Sequence, residues 1–112
     1  MSRKSGAMMD SMQAHLRRMR GLSAGAMVKM LPIHRRMVAD LLAQMTTDMY
    51  STHMPADVAW TATMDSLQQD LIQLPELTKP ELEQAMPAHR ARLSRIITMH
   101  KEMIEKMTAM PK

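Results

Sequence analysis

The chain has no cysteine and no phenylalanine, and Tyr50 and Trp60 are its only aromatics. Without thiols there is no disulfide, no thiolate metal site and no cysteine nucleophile. With so few aromatics there is no stacking platform of the kind that holds single-stranded nucleic acid. No apolar run approaches the roughly 20 residues that a transmembrane helix needs. The N-terminal "MSRKSGAMMD" is basic but lacks the apolar stretch of a secretory signal. The expectation is a protein with no membrane span. It is either the mature domain of a periplasmic or secreted protein or a cytoplasmic one.

Methionine fills the gap. The chain carries 17 Met against 11 Leu, although Leu is normally among the commonest residues. The net charge of +4 is uneven: residues 1–54 hold 8 Lys/Arg and 3 Asp/Glu, and residues 55–112 hold 7 and 8. The basic half reads as a solvated helix face, so no nucleic-acid partner is expected. The length suits a single domain over residues 1–112.

Apolar spacing is helical throughout, and no segment alternates as a strand would. The spacing predicts helices over about 6–20, 23–51, 55–73 and 78–109. Gly21 is the expected stop of the first, and Thr78 with Glu81 forms a capping box at the start of the fourth. The inward stripes read Met8, Met12, His15, Met19 on the first helix and Met27, Met30, His34, Met37, Leu41, Met45, Met49 on the second. On the third they read Trp60, Met64, Leu67, Leu71, and on the fourth Leu82, Met86, His89, Leu93, Ile96, His100, Met103, Met107.

Two stretches match each other. "MLPIHRRM" at 30–37 and "AMPAHRAR" at 85–92 share a Pro-x-His-Arg core at an offset of 55. That shift lays Pro32 on Pro87, His34 on His89, Arg35 on Arg90, Leu41 on Ile96, Met9 on Met64 and Leu16 on Leu71. The fold expected is all-α: an antiparallel four-helix bundle formed by two duplicated helix hairpins, 6–51 and 55–109, with pseudo-twofold symmetry. Each proline removes a hydrogen bond and kinks its helix just ahead of an inward histidine, which aims the imidazole. Folding the chain this way collects Met8, Met12, Met45, Met49, Met54, Met64, His100, Met103 and Met107 at one end of the bundle. Leucines dominate the other end.

Thioether sulfur is a soft, neutral ligand that suits Cu(I) and, by analogy, Ag(I). Met and His three or four apart share a helix face. The candidate ligands are Met8, Met12, His15, Met30, His34, Met37, Met45, Met49, Met64, Met86, His89, His100, Met103 and Met107. The expected role is storage, transfer or resistance toward such an ion. The partners implied are the ion itself and a metal-transport or chaperone protein, with a homodimer left open.

"MLPIHRRMV" resembles the Met-Ile-Pro-His-His motif of a family of small Met/His-rich helical proteins catalogued as a domain of unknown function. "AMPAHRARL" is similar to that motif's second copy. The family's members are often periplasmic, and some bind copper. The resemblance covers about 27–45 and 83–103 and implies a ferritin-like bundle with Met30, His34, Met86 and His89 as ligands. Ile33 and Ala88 stand where the family has the first histidine of each pair.

Two other readings compete. Haem b could be held by His100 with Met8, Met9 or Met12 beside Trp60, although haem pockets are usually richer in aromatics. A Met-rich interaction module would instead repack around partner helices and requires exposed methionines. No enzyme is expected. Asp40, Asp65 and Asp70 read as solvent-facing, no Ser–His–Asp arrangement faces inward, and Glu-x-x-His for a di-iron site is missing from the stripes.

Overall fold

The computed structural model describes residues 3–51 and 57–109. Four α-helices carry the fold: α1 (Arg3–Met19), α2 (Ala24–Ser51), α3 (Val58–Gln73) and α4 (Lys79–Ala109). One 3-10 turn, Leu74–Glu76, follows α3 directly. There is no strand among the described residues. The helices pack as a bundle 51 Å long, about the length of α4 at ~1.5 Å per residue.

The helix starts are written in local hydrogen bonds. Ser23 caps α2, its Oγ accepting from Ala26 N at 3.2 Å. Asp57 caps α3, its Oδ1 accepting from Trp60 N at 2.7 Å. The capping box of α4 is formed: Thr78 N donates to Glu81 Oε1 at 2.9 Å, and Glu81 N donates to Thr78 Oγ1 at 3.4 Å. These bonds hold the Glu81 carboxyl below its ordinary value. Asp57→Ala should lower stability by about 1 kcal/mol, read as a lower denaturant midpoint. An unchanged midpoint would show that packing alone sets the start of α3.

Helix boundaries differ from the sequence expectation at three places. Helix α1 begins at Arg3, helix α3 begins at Val58, and α1 ends at Met19 without a left-handed glycine. The Leu22 N–H bonds Met19 O at 3.2 Å and closes that turn, so Gly21 is not needed as a stop. Helices α2 and α4 run unbroken through Pro32 and Pro87.

Every stripe faces inward as far as the side chains are described. Leu41, Met45, Leu67, Leu82, Met86, Leu93 and Ile96 are among the core's fully buried members. Met9, Met12, Met19 and Met27 join them, while Met8, Met30, Met37, Met49, Met64, Met99 and Met103 are half-buried against the same core. Each methionine whose side chain is described is therefore buried or half-buried. The exposed methionines that an interaction module requires are not found among the described residues. Met54 and the Met107 side chain lie outside the described residues.

Candidate metal centre

Two buried polar clasps join α2 to α4. The first is a chain of three imidazoles. His15 Nε2 lies 2.9 Å from His34 Nδ1, His34 Nε2 lies 2.8 Å from His89 Nε2, and His89 Nδ1 lies 2.8 Å from Asp70 Oδ2. Arg92 Nη1 closes the chain by donating to both Asp70 oxygens, at 3.0 and 2.9 Å. His34 and His89 are completely buried, and the Asp70 side chain is 13% exposed.

The proton positions follow from the end of the chain. The Asp70 carboxylate only accepts, so His89 Nδ1 carries the proton and donates to it. His89 Nε2 is then a lone pair and accepts from His34 Nε2–H. His34 Nδ1 accepts in turn from His15 Nε2–H. Three neutral imidazoles, each donating once toward Asp70, satisfy every link. Burial favours the neutral forms: it pushes His34 down to about 3, with His89 and His15 adding to the effect. His15 is lowered by burial and then by Arg18. His89 is lowered by burial despite the opposing pull of Asp70.

The chain also displays the duplication. The links His15–His34 and Asp70–His89 each span 19 residues, and the central bond joins residues 55 apart. Shifted by 55, His15 lands on Asp70, so the second hairpin repeats the first with a carboxylate in place of an imidazole. The motif arginines follow the same symmetry. Arg35 Nε donates to Leu71 O at 3.0 Å, and Arg90 shares a cavity wall with Leu16, the residue equivalent to Leu71. Pro-x-His-Arg thus places a histidine on the pseudo-twofold axis and an arginine against the other hairpin's first helix.

These contacts engage the two motif histidines with each other. All four ring nitrogens of His34 and His89 are engaged with imidazole or carboxylate, not with methionine. Met30 and Met86 pack in or against the core. Asp70, expected to face solvent, is half-buried and holds His89. No group of three or more His, Asp and Glu side chains that could hold an ion occurs among the described residues. Beside the imidazole chain, the described residues offer thioether sulfur and a single further imidazole, His100.

The second clasp meets that description. His100 Nε2 lies 3.0 Å from Asp48 Oδ2, and Gln44 Nε2 donates to Asp48 Oδ1 at 3.1 Å. With Asp48 accepting at Nε2, the neutral imidazole carries its lone pair on Nδ1. That Nδ1 is buried and has no hydrogen-bond partner among the described residues, in a residue only 1% exposed. The Trp60 ring lies 6.3 Å away, centroid to centroid. Asp48 is not among the residues that the sequence pattern singles out. Its signal was its position: it stands three after Met45 and seven after Leu41, on the inward face of α2.

Methionines surround this clasp by register. Met45 is one turn before Asp48 on α2, Met64 one turn after Trp60 on α3, and Met103 one turn after His100 on α4. Helical side chains lean toward their own N-terminus. Met64 and Met103, on antiparallel helices, lean toward the level of His100 from opposite sides. A second group of thioethers lines a surface-opening cavity of about 270 Å³, where Met8 and Met12 of α1 and Met37 of α2 stand with Ala7, Ser11 and Asp40.

Comparison of the chain with known protein families, with curated proteins and with solved structures finds no match. No helix of the described residues is long and apolar enough to cross a membrane.

Proposed function

We propose that the protein binds a soft monovalent ion, Cu(I) or Ag(I), at His100, with Met64 and Met103 as thioether ligands, in a storage or transfer role. The observation that carries this reading is a buried Nδ1 with no hydrogen-bond partner among the described residues, on an imidazole whose other nitrogen is held by Asp48. A ligating histidine usually donates its second N–H to a carboxylate, which fixes the tautomer and turns the free lone pair toward the ion. An orphaned buried acceptor otherwise costs about 1–3 kcal/mol. Two thioethers and one neutral nitrogen make a soft, uncharged set that favours Cu(I) and Ag(I) over Zn(II).

Trp60 reports on this site, being the chain's only tryptophan and next to the His100 ring. Ag(I) should quench its emission saturably, and Cu(I) should be retained against a competing Cu(I) chelator. The variants are His100→Gln, which keeps an amide N–H for Asp48, and Met64→Leu with Met103→Leu, which keeps apolar volume. Each should lose affinity by about tenfold or more at unchanged helicity. Affinity equal to the parent's in both variants would remove His100 and its neighbours as the site.

A further inference from the structure

We infer that the groove between α1 and α2 is the entry site for the ion, where Met8, Met12 and Met37 take it from solvent and pass it toward His100. This rests on the soft-ion reading of His100. The cavity walled by Met8, Met12, Met37 and Asp40 adjoins a second, of about 320 Å³, that shares Met8 and Asp40 and reaches Gln44 and Thr47. Gln44, on the wall of that second cavity, donates to Asp48, and Asp48 holds His100. The groove therefore ends one hydrogen bond from the clasp.

The three thioethers are graded in depth. Met12 is 1% exposed and forms the base, while Met8 and Met37 are half-buried at the rim. Met8 and Met12 are one turn apart on α1, and Met37 faces them from α2, so one ion can meet sulfur from both helices. Asp40, exposed at the mouth, puts a negative charge there in a half of the chain that is otherwise basic. A cation approaching the groove meets attraction where the surrounding surface repels it. Entry and passage are ligand exchange only: the ion keeps its oxidation state, and the neutral thioethers bind and release it without a proton.

The test uses Ag(I) and the full chain. Rapid mixing should give Trp60 quenching in the parent, and Met8→Leu with Met37→Leu should reach the same final quench about tenfold more slowly. The variant should also retain one Ag(I) equivalent fewer against a competing ligand. These substitutions conserve volume at half-buried positions, and far-UV circular dichroism confirms the fold. Quenching as fast as the parent's, or undiminished Ag(I) retention, overturns the entry site while leaving His100 intact. A parent that shows no quenching at all overturns both readings.

Discussion

Replacing His34 and His89 together by leucine is expected to cost far less than the sum of the two single replacements. His34→Leu leaves His15 Nε2–H and the His89 Nε2 lone pair facing apolar carbon, at positions 2.9 and 2.8 Å from the lost nitrogens. His89→Leu leaves His34 Nε2–H unpaired and takes one of the partners of Asp70, which keeps Arg92. Each single change should cost about 2–4 kcal/mol, since an unpaired buried donor or acceptor carries its full desolvation cost. In the double variant both central groups are gone, and leucine suits a stripe position. The coupling should be about 2 kcal/mol or more, measured by denaturant unfolding of the four proteins in the cycle. Additivity to within about 0.5 kcal/mol would mean that the two imidazoles are not bonded to each other.

Most of the helical architecture could be read directly, because a Met, Leu or His recurring every three or four residues leaves only one face to bury. The offset of 55 between the Pro-x-His-Arg motifs already contained the central bond of the imidazole chain. Two things were not legible. Sequence period gives the direction of a side chain but not its partner, so His34 could face a methionine or the equivalent histidine equally well. The structure chooses the histidine. Charge also conceals partners: Asp and Glu are almost never fully buried unless paired, so Asp70 reads as solvated and Asp48 is not singled out. Both in fact hold imidazoles, and each was marked, Asp48 by lying on the α2 stripe and Asp70 by mapping onto His15.

The two clasps divide the labour between the histidines. The His15–His34–His89–Asp70 chain is closed, with each bond oriented by the carboxylate at its end. The His100 clasp is open at one nitrogen among the described residues. Closed and open clasps sit 14 residues apart on α2 and 11 apart on α4, and both numbers run in the same direction, as parallel diagonal helices require. The first fixes how α2 and α4 meet. The second leaves His100 Nδ1 without a hydrogen-bond partner among the described residues. The Pro-x-His-Arg motif thus joins the two hairpins, and the ligand proposed above is an unrepeated histidine, His100, on α4.

Acid should destabilise the parent, and one substitution should reverse the sign. His34 is pushed from 6.5 down to about 3, and His15 and His89 are lowered as well. The unfolded chain takes up these protons near pH 6.5 while the folded chain refuses them. The contribution is therefore complete above pH 6.5 and is lost as pH falls from there toward 3. For His34 alone the loss reaches about 2 kcal/mol by pH 5, with the other two adding in the same direction. The reversal comes from the asymmetry between His15 and Asp70. In His15→Asp both ends of the chain are carboxylates, reached across equal 19-residue links. His34 and His89 then each donate Nδ1–H outward, leaving two Nε2 lone pairs 2.8 Å apart. Only a shared proton satisfies that pair, and two carboxylates favour the resulting positive charge. The pair's pKa in the folded state rises above 6.5, so its stabilisation is present below pH 6.5 and is lost as pH rises through the new value. Denaturant unfolding at pH 5.5 and 8 should show the parent more stable at pH 8 and the variant gaining relative to it at pH 5.5. A variant that loses as much stability as the parent between pH 8 and 5.5 would show that the chain's proton order is not set by its ends.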